Sequence, residues 1–228
     1  MSREQLQTLE REVNAELYER AASEGLIHLP ITDGVVNVDY YLASSPKILW
    51  ILKEPWEDLK EGEGGGDWSL TKYLNEDGKI GNKGSWARMA YVTYSILNNF
   101  LNYSDIHYVT DDPRVGASLK NIAYINVKKF PGKSISVPAE IASYYNKYRS
   151  LLKRQITTIN PDVLIFGNIF YLFREDLGLN NEEIKSEGSA EFCKKDGRLY
   201  INAYHPSYWR ISEKKYVEDI VAIIKNNF

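Results

Sequence analysis

Three apolar runs in this chain end abruptly in polar side chains. Residues 47–52 lead into Lys53-Glu54-Pro55-Trp56, and residues 122–125 end at Asn126, with Lys128 and Lys129 close behind. Residues 198–203 end in Tyr204-His205-Pro206-Ser207. A carboxylate, an amide and an imidazole are hydrogen-bonding groups of three different kinds. Pro55 fixes its own φ and pushes Glu54 towards extended geometry, which holds the carboxylate at the strand's end. Ordinary structural roles fit the same residues: a solvated Glu in a turn, an Asn bracing a loop, a His satisfied beside its proline.

The elements that position these groups follow from pattern. The unbroken run of residues 48–52 predicts a strand buried on both faces, as in a parallel sheet, and residues 122–127, 161–167 and 198–203 predict three more strands. In open α/β sheets the carboxyl ends of such strands are where ligands bind. Residues 2–24 predict a helix, with a Ser2/Gln5 capping box, apolar Leu6, Leu9, Val13 and Leu17, and Gly25 to stop it. Residues 26–46 read as an irregular lead-in with turns at Pro30, Asp33-Gly34 and Ser44-Ser45-Pro46. The glycine-rich stretch 61–67 is acidic through Glu61, Glu63 and Asp67 and lacks the Gly-Lys-Ser/Thr ending of a phosphate cradle, so a flexible lid is expected. Further helices are expected over 84–101, with Trp86 in the first turn and Met89, Val92, Ile96 and Phe100 on one stripe, from Asp112-Pro113, over 138–159, which is locally basic, over 170–177, and from Ser212 to Lys225. A polar loop is expected between 177 and 198. Strands alternating with helices predict an α/β fold, a three-layer α/β/α sandwich with a mostly parallel four-stranded sheet. Residues 1–228 form a single domain in this scheme, with residues 1–45 an N-terminal helix and lead-in packed on it. The ends of strands one, two and four converge on one rim.

Composition narrows the function classes. The chain has 228 residues, 43% apolar and 26% charged, as expected of a globular protein. A formal net charge of −3 gives no global signature of nucleic-acid binding, which leaves a local basic patch as the route to such a partner. The 17 Tyr and 5 Trp supply core filling or stacking platforms for bases. Cys193 is the sole cysteine, which excludes disulfides within the chain and cysteine-ligated metal clusters, and the three histidines are scattered, so no metal site is expected. No apolar run has the length of a membrane span, so a cytoplasmic protein is expected.

Taken in order, these motifs resemble the uracil-DNA glycosylase superfamily. Members carry a first motif of the type Gly-Gln-Asp-Pro-Tyr or Gly-Glu-Ala-Pro-Gly, an asparagine ending a central strand, and His-Pro-Ser after the last strand. Here those slots hold Leu52-Lys53-Glu54-Pro55-Trp56, Tyr124-Ile125-Asn126 and Tyr204-His205-Pro206-Ser207, and the similarity runs over residues 46–225. The resemblance implies hydrolysis of the N-glycosidic bond of uracil or another damaged base in DNA, by a monomer without a cofactor. It assigns catalysis to Glu54, which stabilises the cationic sugar, and to His205, which stabilises the leaving base. Asn126 would read the base edge, with Trp56, Trp68 and Trp86 as candidates at the base. Lys128, Lys129, Lys133, Ser207, Tyr208, Trp209 and Arg210 would contact the DNA, with Lys128, Lys129, Lys133 and Arg210 forming an exposed basic border to the pocket. Leu52 stands where the family has glycine, and Trp56 where Tyr or Gly is usual. These departures keep a second function in view: a catalytically inactive module on the same fold that binds a nucleobase, nucleotide or nucleic acid.

Overall fold

The computed structural model describes residues 2–60, 62–76 and 80–228. In chain order the elements are α1 (Arg3–Ser23), β1 (Ile31–Thr32), β2 (Gly34–Val35), α2 (Val38–Ala43), β3 (Ile48–Leu52), β4 (Trp68–Ser69), α3 (Leu70–Asn75) and α4 (Ser85–Leu97). There follow α5 (Pro113–Ala117), β5 (Ile122–Asn126), α6 (Pro138–Ile159), β6 (Val163–Gly167) and α7 (Phe170–Phe173). The chain closes with β7 (Lys185–Glu187), β8 (Ala190–Lys195), β9 (Arg198–Ala203) and α8 (Glu213–Asn227). Local chemistry sets several boundaries. Ser2 and Gln5 form a reciprocal capping box on α1, Pro138 occupies the first turn of α6, and Ser212 caps α8.

The fold is mixed α/β around a mostly parallel sheet. Among the described residues its strands are seven, in the order β2-β5-β3-β6-β9-β8-β7. The four expected strands, β5, β3, β6 and β9, are its mutually parallel centre. The expected count of four is corrected by three antiparallel strands at the edges, β2 on one side and β8 and β7 on the other. Two-residue β2 is too short to show a period. The β8–β9 hairpin turns at Asp196-Gly197, both at positive φ (50° and 75°), so the expected polar loop held an Asp-Gly hairpin signal.

Each central strand buries both faces, which is why its sequence is continuously apolar. Ile48, Trp50, Ile122, Val163, Ile165 and Ile201 share a core with Met89 and Val92 of α4 and Val217 and Ile220 of α8. Leu49, Ile51, Ile125, Leu164 and Phe166 pack on the other face with Leu6 and Leu17 of α1 and Tyr148 and Leu152 of α6. Among the described residues no helix is long and apolar enough to cross a membrane.

One buried ion pair ties the antiparallel edge to the parallel centre. Lys129 Nζ donates to both Asp33 carboxylate oxygens, at 2.7 and 2.8 Å, with both side chains buried. Asp33 also accepts from Gln155 Nε2 of α6 (3.1 Å) and from the Asn126 backbone N–H (2.7 Å). Burial pushes the Lys129 ammonium below its usual pKa, and the Asp33 carboxylate opposes that shift. Removing the lysine alone strands a buried carboxylate. Lys129→Met is expected to destabilise the fold by about 3–5 kcal/mol in urea unfolding, with the double change Asp33→Asn, Lys129→Met costing less. An unaltered Lys129→Met midpoint would contradict this role.

Candidate functional site

Because β3, β5, β6 and β9 run parallel, their carboxyl ends open on one rim. A cavity of about 700 Å³ lies there, and both Glu54 and His205 line it. The segment after β3 is held by continuing the sheet. Val127 and Lys128 donate backbone N–H groups to Leu52 and Lys53, both at 2.9 Å, and Gly132 N–H donates to Pro55 at 2.8 Å. Trp56 then forms a single parallel bridge with Gly132.

Glu54 is covered as well as held; its side chain is only 5% exposed. Lys128 Nζ donates to Glu54 Oε2 at 3.0 Å and to Glu140 Oε1 of α6 at 2.7 Å, and lies 5.4 Å from the Tyr144 ring centroid. Burial works against the Lys128 ammonium, but the hydrogen bonds and charges of Glu140 and Glu54 outweigh it, so its pKa rises. Gly132 makes the packing possible, since a Cβ there would sit 2.3 Å from the Glu54 carboxyl.

His205 belongs to a loop clamped from behind. Its Nδ1 accepts the Ser207 backbone N–H at 3.2 Å and lies 2.7 Å from Ser207 Oγ, which puts the proton of the neutral ring on Nε2. Burial pushes its pKa down to about 4, and the Lys53 charge pushes the same way. Arg88 of α4, buried over the Tyr216 ring at 5.1 Å, donates to the carbonyls of Tyr208 (2.7 Å) and Ile211 (2.8 Å). Gly167 leaves room beneath: a Cβ there would meet Leu52 Cδ2 at 2.5 Å and His205 Cδ2 at 3.3 Å. Leu52, in the slot where the resemblance has glycine, therefore lies over the bare Gly167 backbone.

The other candidates distribute unevenly. Trp56, Trp68, Trp86, Ser207, Tyr208, Trp209 and Lys133 line the cavity. Trp86 packs on Tyr124 with centroids 5.1 Å apart, and Tyr208 stacks on Tyr204 at 4.5 Å. Trp209 is 79% exposed, and the Arg210 guanidinium lies 5.3 Å from its ring centroid. Asn126 is buried and is not among the cavity's lining residues; its Oδ1 accepts from Tyr124 OH at 3.1 Å, and Tyr124 occupies the wall. Asn126 Nδ2 has no partner among the described residues.

The expected exposed basic border is corrected at Lys128 and Lys129. Both are buried in ion pairs, with Glu54 and Glu140 in one case and Asp33 in the other. The expected lid differs too. Gly65 O accepts from Leu29 N–H (2.8 Å), Asp67 N–H donates to Pro30 O (3.1 Å), and β4 pairs with β1, so residues 65–69 are strapped down and deliver Trp68 to the cavity. Glu61 lies outside the described residues. Arg88, Lys53 and Gly132 were not foreseen. An arginine beside Met89 and Val92 on an apolar stripe was the signal for the first.

Among the described residues no group of His, Cys, Asp and Glu side chains is arranged to hold a metal ion. No protein-family model matches the chain, and no curated protein matches it.

The His205 environment has a measurable consequence. Its ring should titrate near pH 4 in histidine NMR, and Lys53→Met should raise that value by removing a nearby positive charge. The unfolded chain binds a proton here below about pH 6.5 and the folded chain does not until about pH 4, so this residue lowers stability as pH falls through that window. A His205 titration at 6.5 would refute the environment described.

Proposed function

We propose that this chain is a divergent member of the uracil-DNA glycosylase superfamily that hydrolyses the N-glycosidic bond of uracil or another damaged base in DNA. The observation that carries the proposal is the joint presence of Glu54 and His205, from two parallel strand ends, on the wall of one aromatic-lined cavity. The order of the four central strands' motifs along the chain supports the family assignment, and the cytoplasm is the compartment proposed for a monomer acting without a cofactor.

Hydrolysis of this bond builds positive charge on the sugar and negative charge on the departing base. Glu54 stabilises the first and orients the attacking water, whose proton passes to solvent or to the carboxylate. His205, neutral at pH 7 with its proton on Nε2, donates to the base carbonyl and stabilises the second without itself changing protonation state. The aromatic rings hold a base that has left the stack. The unpartnered Asn126 Nδ2, behind the Tyr124 ring that forms the wall, supports a base-reading amide. A specific observation favours the second function, a binding module: Glu54 Oε2 is already engaged by Lys128 and its side chain is covered.

Single-turnover assays with excess protein on uracil-containing single- and double-stranded oligonucleotides separate the two. The enzyme releases base, His205→Ala slows the chemical step by about 10²–10³-fold, and Glu54→Gln slows it while retaining most DNA affinity. A protein that releases none of the tested bases, yet binds free base in an Asn126-dependent way, is the binding module.

A further inference from the structure

Lys53, Lys83 and Lys133 line the same cavity as Glu54 and His205. Among the described residues none of the three has a carboxylate within ion-pair distance, and the one acidic side chain on the wall, Glu54, is hydrogen-bonded to Lys128, which it shares with Glu140. The cavity wall thus carries three lysines against one glutamate, in a chain whose net charge is −3. Lys83 and Lys133 are exposed and water can solvate them. Lys53 is half-buried, and burial is the larger influence on it, pushing its pKa down against the pull of Glu54. An ammonium partly withdrawn from water with no carboxylate in contact is costly, and an incoming anion offsets that cost. The wall next to Lys83 adds to the same potential. Gly84 caps α4 at φ +97° with no side-chain hydrogen bond, and the first turn has no acidic residue.

We infer that the cavity contains an anion subsite, formed by Lys53, Lys83 and Lys133, for the phosphate of a nucleotide whose base packs among the cavity's aromatic rings. The base half of this ligand rests on the function proposed above; the anion half rests on the lysines alone. The same phosphate chemistry is offered by a free nucleotide and by a nucleic-acid backbone. A free monophosphate is a dianion, which three ammonium groups match better than a single diester charge.

Tryptophan fluorescence titrations with deoxyuridine, deoxyuridine 5′-monophosphate, inorganic phosphate and a thymidine-free dinucleotide bearing only an internal phosphodiester test this. The monophosphate should bind at least about tenfold tighter than the nucleoside, and that advantage should shrink from about 20 to about 200 mM salt. Lys53→Gln should remove most of the advantage and Lys53→Arg should keep it, with thermal melting of both variants confirming a folded chain. Dinucleotide binding as tight as that of the monophosphate also supports the subsite and assigns it to a polymer backbone. Equal binding of nucleoside and monophosphate overturns the anion subsite and leaves the base reading intact. Binding of phosphate and monophosphate alike, with none of nucleoside, supports the subsite and overturns the base reading. No binding of any probe overturns both.

Discussion

The contact between Glu54 and Lys128 is the constraint on which the rim depends. It joins the segment after β3 to the segment after β5, and through Glu140 it ties both to the first turn of α6. A buried carboxylate is tolerated only when it is paired, so the position of Glu54 is set by Lys128 as much as by Pro55. The pair fits because residue 132 has no side chain. Sheet-like hydrogen bonds from Val127, Lys128 and Gly132 then fix the backbone on either side. The arrangement gives a carboxylate that is rigid and already partnered, a balance between orientation and availability that decides whether this rim does chemistry or binding.

The opposite wall is organised differently. The segment carrying His205 is held through backbone carbonyls, by Arg88 from α4 and by Tyr216 OH of α8, which donates to Tyr204 O at 3.1 Å. The imidazole is left with an internal donor to Nδ1, the Ser207 backbone N–H, and an Nε2–H with no hydrogen-bond partner among the described residues. A neutral donor held in place before any reaction suits the stabilisation of a developing anion, because little reorganisation is needed when the charge appears.

Much of this was legible in the chain. The four central strands show as apolar runs because both faces are buried, and α1, α6 and α8 show through Ser2, Pro138 and Ser212, whose local chemistry does not depend on the rest of the fold. Glu54 and His205 were findable because polar groups that end parallel strands share one rim. Side-chain destinations set by distant partners were not. Lys128 and Lys129 look like a basic patch, yet their partners Glu54 and Asp33 lie 74 and 96 residues away. The exposure of adjacent lysines is settled by those long-range carboxylates. Asn126 shows the same limit: its place at a strand end was readable, but the Tyr124 ring that takes the wall in its stead is a matter of packing.

The central claim is that a base enters this cavity with its carbonyl on His205. The most direct test is a crystal structure of the Glu54→Gln protein bound to a uracil-containing oligonucleotide. The account predicts an extruded base inside the cavity, with a carbonyl oxygen roughly 2.7–3.1 Å from His205 Nε2. A bound oligonucleotide whose base lies outside the cavity, or whose carbonyl is held by other groups while His205 makes no contact, would contradict it.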